Sequence, residues 1–133
     1  MELVKVLKAL ADETRLRILH LLRMEELCVC ELENILAITQ SNASRHLSKL
    51  GSVGLITYTK RAQWVYYSYN RNLAQEFPFL EQLVEAELGK LIRAATDLER
   101  LGQYKGSGFS CEDLRNCTVD KSKIFQGGIN YGY

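Results

Sequence analysis

The first half of the chain carries its apolar residues three or four positions apart, the spacing of amphipathic helices. Asp12 and Thr39 stand where the second and fourth of these helices begin, and the side chain of each can cap a helix by accepting a backbone N–H. The third and fourth helices are short and separated by a tight turn, which is the pattern of a helix-turn-helix. The predicted helices span residues 2–11, 13–23, 29–36 and 40–50.

Two segments rich in β-branched and aromatic side chains follow, residues 55–60 and 64–69, and both are predicted as strands. Only Arg61, Ala62 and Gln63 separate them, which predicts a hairpin with a cationic tip. A helix-turn-helix followed by a basic hairpin is a winged helix. The predicted fold class is therefore mainly α with a β-hairpin.

Pro78 begins a segment that is predicted as one long helix ending near residue 101, with Gly102 as its stop. The apolar stripe of this helix needs a partner surface, and the same helix of a second subunit can provide it. The prediction is a homodimer through this long C-terminal helix and the N-terminal helix; the alternative is a helix that folds back on its own domain. The stripe consists of Leu80, Val84, Leu88, Leu91, Ala95 and Leu98.

The last part of the chain changes in character, since residues 102–133 hold six of the nine glycines and few aliphatic residues. We predict a loosely ordered tail there, which carries Cys111 and Cys117. The chain thus divides into a winged helix-turn-helix DNA-binding and dimerisation domain, residues 1–101, and this glycine-rich tail.

The net charge of +1 conceals a strong asymmetry along the chain. Residues 34–75 contain no Asp or Glu and have a net charge of +5, whereas the segments on either side each have −2. A basic segment between acidic flanks is typical of a nucleic-acid footprint, but a solvated basic face without a partner has the same composition.

The predicted recognition helix presents polar side chains suited to the base edges and phosphates of double-stranded DNA. Lys60 and Arg61 at the hairpin tip would contact phosphate or the minor groove and add affinity rather than sequence choice. His46 either contacts phosphate or packs between helices. The candidate DNA-binding residues are Gln40, Ser41, Asn42, Ser44, Arg45, His46, Ser48, Lys49, Lys60 and Arg61.

Cys28 and Cys30 are candidate ligands for thiophilic ions, because thiolates are soft donors. The alternative is that both are small buried apolar residues. On a regular helix, side chains two residues apart point about 200° away from each other, so chelation by this pair favours an unwound start of the third helix. Unwinding would move the recognition helix, so metal and DNA binding would compete.

Two sulfurs rarely complete a metal site, and Cys111 and Cys117 are the other thiols of the chain. The tail, of the same or the partner subunit, is therefore the candidate donor of the remaining ligands. The alternatives are incidental cysteines or a disulfide formed on oxidation.

Several classes of protein do not fit the sequence. The longest apolar run is four residues, so no membrane-spanning helix is expected. Early acidic residues and the lack of an apolar leader argue against a signal peptide, which predicts a cytoplasmic protein without a membrane partner. No C-x-x-C pair, catalytic cysteine signature or phosphate loop is recognisable, so no enzyme is expected.

Four segments resemble the ArsR/SmtB family of metal-sensing repressors, over about residues 3–101. The resemblance implies a homodimeric winged helix that represses a resistance operon and leaves the operator when an inducer binds Cys28 and Cys30. The C-V-C motif is typical of the arsenic- and cadmium/lead-sensing branches. The matching segments are LADETRLRIL at 10–19, ELCVCEL at 26–32, SRHL at 44–47 and WVYY at 64–67.

This chain departs from the family pattern at several positions. Glu33 stands where arsenic sensors often have a third cysteine, and Ala62 stands in a wing turn that often contains glycine. Some arsenic sensors carry cysteines near the C-terminus, as this chain does. The resemblance therefore favours As(III) or Sb(III) as inducer, with Cd(II), Pb(II), Zn(II) or a thiol redox switch as alternatives.

Overall fold

The computed structural model describes residues 2–115 and 121–125. Four helices form its first half, and the two N-caps predicted from sequence are confirmed, since Asp12 accepts the Arg15 N–H and Thr39 accepts the Asn42 N–H. The helices are α1 Leu3–Leu10, α2 Glu13–Leu22, α3 Val29–Leu36 and α4 Gln40–Ser52.

A three-stranded antiparallel sheet forms the wing, with strand order β1-β3-β2. The hairpin strands are β2 Ile56–Arg61 and β3 Trp64–Tyr69, close to the predicted bounds. The sequence did not predict β1, Leu27–Cys28, which is too short to have a pattern of its own. It pairs with the middle of β3 and so attaches the segment that holds Cys28 and Cys30, residues 26–30, to the wing. This stretch is called the cysteine segment below.

Helices α3 and α4 pack as the predicted helix-turn-helix. Leu32, Ile35 and Leu36 of α3 are fully buried, as are Ala43 and Leu47 of α4. Ala37 adopts a left-handed conformation with φ of 56° at the end of α3, which turns the chain towards α4. This packing fixes the orientation of the recognition helix relative to the cysteine segment.

The single long C-terminal helix predicted from sequence is wrong. The structure has α5 Arg71–Glu76 and α6 Pro78–Gln82, then a π-helical turn Leu83–Glu87 and a 3₁₀ turn Leu88–Lys90. Leu91 is extended and interrupts the helix, and α7 runs from Ala94 to Ser107.

The predicted stop at Gly102 is also wrong, because α7 continues through that glycine. A left-handed residue ends the helix instead, at Gly108 with φ of 76°. The described part of the tail is helical as well, with α8 Cys111–Arg115 and a 3₁₀ turn Lys121–Lys123. Whether residues 102–133 form a unit separate from residues 1–101 stays a prediction.

The break at Leu91 shifts the buried face of the last helix. Leu80, Val84 and Leu88 of the predicted stripe are buried against their own domain, as the alternative reading proposed for the whole helix. In α7 the chain itself leaves the stripe positions uncovered, since Ala95 is exposed and Leu98 half-buried, so their pairing with a second subunit stays a prediction. The buried residues of α7 are Ala94, Asp97, Arg100, Leu101 and Tyr104.

The wing turn stores backbone strain at Ala62, whose φ is 55°. A left-handed alanine costs about 1 kcal/mol relative to glycine, so Ala62→Gly is expected to raise the free energy of unfolding by about that amount. Urea denaturation measures this change. The exposed helical Ala95 gives the matched control, since Ala95→Gly is expected to destabilise by about 0.5–1 kcal/mol. If both variants changed the free energy of unfolding in the same direction, the left-handed conformation of Ala62 would be contradicted.

Candidate functional site

The first turns of α4 form an open polar surface. Gln40, Ser41 and Arg45 are exposed, and Asn42 and Ser44 are half-buried. Two hydrogen bonds orient these side chains along the helix, from Gln40 Nε2 to Ser44 Oγ (3.2 Å) and from Arg45 Nη2 to Asn42 Oδ1 (2.6 Å). Ser48 and Lys49 continue the exposed face one turn further along.

His46 lies apart from that surface, so its assignment as a DNA-contacting residue does not fit the structure. Its ring is buried between α4 and α2, and Nδ1 lies 3.0 Å from Arg15 Nη1. Arginine can only donate, so Nδ1 accepts and the ring is neutral. Burial lowers the pKa of His46 further, against the opposing effect of Asp12.

The wing tip presents two adjacent cations in different environments. Lys60 and Arg61 are both exposed. The guanidinium of Arg61 donates to the Glu26 carboxylate and lies over the Tyr66 ring, 4.2 Å from its centroid. Glu26 belongs to the segment immediately before β1, so the wing tip contacts the cysteine segment directly.

Three cysteines line one cleft of about 670 Å³. Cys28 and Cys111 are joined by a disulfide, with Cα atoms 6.9 Å apart, and both are buried. Cys30 is a half-buried free thiol on the same cleft. Cys117 lies outside the described residues. The tail thus brings Cys111 to Cys28, across 83 residues of sequence.

The cleft also reaches both DNA-reading elements. Gln40, the first residue of α4, lines it on one side, and Gln63 and Trp64 of the wing line it on another. Arg115 of α8 lies over the Trp64 ring at 5.3 Å from its centroid. A group bound to these thiols would therefore lie between the recognition helix and the wing.

The thiols are not arranged as a finished metal centre. Among residues 2–115 and 121–125, no group of three His, Cys, Asp or Glu side chains has the spacing of a metal site. Cys28 ends a strand, while Cys30 lies in the first turn of α3, so the two sulfurs belong to different backbone conformations. Burial raises the pKa of the Cys30 thiol, and the Glu33 carboxylate raises it further.

Glu31 ties the cysteine segment to the last helix. Its Oε1 accepts the Cys28 backbone N–H at 2.9 Å, and its Oε2 accepts the Tyr104 hydroxyl at 2.5 Å. Both side chains are buried, and burial raises the pKa of Tyr104, as does the bond to Glu31. The N-terminal end of α3 is therefore held by α7.

Two buried arginines hold the opposite end of α3. Arg100 of α7 donates to the carbonyls of Asn34 and Ile35, at 2.7 Å each. Arg17 of α2 donates to the Leu36 carbonyl at 2.9 Å and forms a buried ion pair with Asp97 of α7, with N···O distances of 2.8 and 2.9 Å. These carbonyls are the ones that a helix C-terminus leaves without internal partners.

Comparison with known proteins places this architecture in a family. The model of the bacterial regulatory protein, arsR family, matches residues 12–58. The chain is 39% identical over 93 residues to the cadmium resistance transcriptional regulatory protein CadC homolog of Staphylococcus aureus, covering 67% of this chain and 77% of that protein. The chain belongs to the ArsR family.

Further relatives agree with this assignment. The chain is 37% identical over 108 residues to the arsenic resistance transcriptional regulator ArsR1 of Pseudomonas putida, covering 80% of this chain and 84% of that protein. The solution structure of a homodimeric winged helix-turn-helix DNA-binding domain from Mycobacterium bovis superposes with a TM-score of 0.54 at 28% identity, covering 67% of this chain and 83% of that one. These relatives are regulators rather than enzymes.

In the part of this ArsR-family chain that the structure describes, no helix is both long enough and apolar enough to cross a bilayer.

The residues that connect the site to the rest of the fold are not among those predicted from the sequence. Glu26, Glu31 and Tyr104 make polar contacts between elements far apart in sequence, so local spacing gives no sign of them. Asp97 and Arg100 did offer a signal, because with Tyr104 they lie on one face of α7. That face was not expected to be buried because it carries charged residues, which are rarely fully buried unless they are paired.

Burial of a neutral His46 predicts that acid destabilises this protein. Folding lowers the pKa of this histidine from its usual 6.5. The stability that the neutral ring contributes is therefore complete above pH 6.5 and is lost as the pH falls from there towards the pKa of the folded protein. Asparagine can replace Nδ1 as an acceptor without titrating. Denaturation between about pH 5 and 7.5 is therefore expected to show a smaller loss of stability on acidification for His46→Asn than for wild type. Parallel pH profiles would contradict this.

Proposed function

We propose that this ArsR-family protein is a homodimeric repressor of a metal(loid) resistance operon, released from operator DNA when As(III) or Sb(III) binds its cysteines. One observation carries the proposal. Cys28, Cys30 and Cys111 line a single cleft, and Gln40 at the start of the recognition helix lines it too. Ligand binding at these thiols can therefore act on the DNA-reading element through direct neighbours.

The DNA-binding surface is the exposed polar face of α4 together with the wing tip. Amide and guanidinium side chains there can pair with base edges, and small serines allow close approach. Lys60 and Arg61 add phosphate contacts and salt-dependent affinity. His46 is not included, because it is buried. The proposed contacts are Gln40, Ser41, Asn42, Ser44, Arg45, Ser48, Lys49, Lys60 and Arg61.

The dimer interface is an apolar surface that one subunit leaves exposed. Leu3, Val4 and Leu7 of α1 are each about half exposed, and Ile92, beside the start of α7, is 94% exposed. Exposed apolar side chains in such a group mark an interface. The relative from M. bovis is homodimeric. A dimer presents two recognition helices to two half-sites of DNA.

The thiol set favours trivalent arsenic or antimony. As(III) binds three thiolates in a pyramid, and Cys28, Cys30 and Cys111 supply three once a reductant has delivered two electrons and two protons to the Cys28–Cys111 disulfide. Cys28 and Cys111 meet in the cleft as a disulfide, and Cys30 lines the same cleft as a free thiol. Cd(II), Pb(II) or Zn(II) is the alternative, in keeping with the cadmium regulator among the relatives.

Coupling to DNA passes through α3. A ligand that draws Cys30, in the first turn of α3, towards Cys28, the extended N-cap residue, moves the start of this helix. That movement breaks the hydrogen bond from the Cys28 N–H to Glu31 and so loosens Tyr104. Inducer and DNA then favour different positions of α3, which is the requirement for coupling between two sites.

A second candidate function is a thiol redox switch of the same fold, favoured by the Cys28–Cys111 disulfide. Peroxide would oxidise the two thiols, which lose two electrons and two protons to form the S–S bond while the peroxide is reduced to two waters. Cys30 takes no part in this reaction. That difference separates the two candidates.

Operator release is the decisive measurement for the inducer. In the presence of a non-thiol reductant, arsenite and antimonite are expected to release the wild-type protein from DNA. Removal of any one of the three ligands is expected to weaken this response by at least about tenfold. The variants are Cys28→Ser, Cys30→Ser and Cys111→Ser. Cd(II), Pb(II), Zn(II) and peroxide complete the panel. Arsenite that leaves the specific complex intact at stoichiometric excess would overturn the proposal.

Cys30→Ser and Cys117→Ser serve as the discriminating variants. If peroxide releases Cys30→Ser as readily as wild type while arsenite releases neither, the redox function is favoured. Cys117→Ser tests the other tail thiol, and a weakened response of this variant to arsenite would add Cys117 to the ligand set.

Dimerisation is tested at Leu7. A carboxylate at this apolar position is expected to shift Leu7→Glu to monomer in light scattering and to weaken DNA binding by more than about tenfold, because one half-site contact is lost. Lys5→Glu adds the same side chain to the opposite side of α1 and is the control. A dimeric Leu7→Glu would contradict the proposed interface.

A further inference from the structure

The wing tip is partly neutralised by an acid from outside the hairpin. We propose that Glu26 competes with DNA phosphate for Arg61, and thereby limits the affinity of the wing for DNA of any sequence. The inference rests on the proposed DNA-binding function. It assigns a role in setting the strength of DNA binding, at any sequence, to a residue outside the proposed DNA-contacting set.

The Glu26 carboxylate lies between two hydrogen-bond donors, the Arg61 guanidinium and the Ser68 hydroxyl. One oxygen accepts from Arg61 Nη2, and the other accepts from Ser68 Oγ at 3.3 Å. The Arg61 guanidinium also lies 4.2 Å from the centroid of the Tyr66 ring. The ion pair with Glu26 and the Tyr66 ring thus hold the Arg61 guanidinium against the hairpin.

The two cations at the tip differ in this respect. Residues 34–75 contain no acid, so Arg61 can be neutralised only by a carboxylate from elsewhere, and Glu26 is that carboxylate. Lys60, its neighbour, has no ion pair within the described residues. Among the described residues no carboxylate therefore competes with phosphate for Lys60, whereas Arg61 must first leave Glu26.

Exposure decides whether phosphate can compete. The Arg61 side chain is 55% exposed and that of Glu26 is 34% exposed, so the pair is reachable by solvent and by DNA. An exposed ion pair is weak enough to be exchanged on binding, and its loss is subtracted from the affinity. Because phosphates are present at every sequence, this subtraction weakens non-specific and specific complexes alike, whereas base contacts supply the difference between them.

Glu26 also connects the wing to the cysteine segment. It directly precedes β1, in which Cys28 pairs with Tyr66, the residue whose ring lies against Arg61. Displacement of Cys28 therefore changes the position of the carboxylate and of the ring together.

The test is a double-mutant cycle on a short random-sequence duplex, measured by fluorescence anisotropy with full-length protein. Glu26→Gln keeps the size of the side chain and removes its charge, and is expected to tighten binding by up to about fivefold per wing. In an Arg61→Gln background the same substitution is expected to have no effect, because the competition is gone. Glu25→Gln, which changes the charge equally but contacts Lys105 rather than the wing, is the matched control.

Each outcome has a distinct meaning. Equal effects of Glu26→Gln and Glu25→Gln, or an undiminished effect of Glu26→Gln without Arg61, would show a general field effect and overturn the inference alone. If Arg61→Gln leaves DNA affinity unchanged, the wing contact in the proposed function fails, and this inference fails with it. Thermal denaturation of each variant checks that the fold is retained.

Discussion

The buried ion pair between Arg17 and Asp97 is the interaction on which the arrangement of the DNA-binding domain depends. It joins α2 to α7, and the same guanidinium holds the last carbonyl of α3. Charges removed from water this completely are costly unless every partner is present. The ion pair therefore specifies one position of α7, and α7 in turn positions Arg100 and Tyr104 along α3. The recognition helix inherits its orientation from this set of contacts.

Local patterns predicted the helix-turn-helix and the hairpin well because these elements are determined by nearby residues. The N-caps Asp12 and Thr39, the apolar faces of α3 and α4, and the strand composition all act over a few positions. The C-terminal half was predicted poorly for the opposite reason. Its breaks at Leu91 and Gly108 and the burial of Asp97 are set by tertiary contacts, and a charged residue on a helix face is usually taken as exposed.

The candidate site was predictable in part. Cysteine chemistry and close spacing singled out Cys28 and Cys30, and the need for a further ligand pointed to the tail cysteines, Cys111 and Cys117, without distinguishing them. What the sequence could not supply is the environment of these thiols. The bond from Glu31 to Tyr104 spans 73 positions, and Glu26 reaches Arg61 across 35. His46 shows the converse limit, because its place on the polar helix suggested DNA while the fold buries it against Arg15.

The junction of Cys28 and Cys111 has a consequence for when the protein can respond. The two residues are separated by 83 positions, so the cleft exists only after the tail has returned to α3. All the elements of the winged helix, in contrast, are complete before Cys111 is reached. The DNA-reading surface thus needs only the part of the chain before Cys111, whereas the proposed inducer site needs the tail as well. Loss of the tail would leave a protein with its DNA-reading surface intact but without the third thiol through which it is proposed to be released.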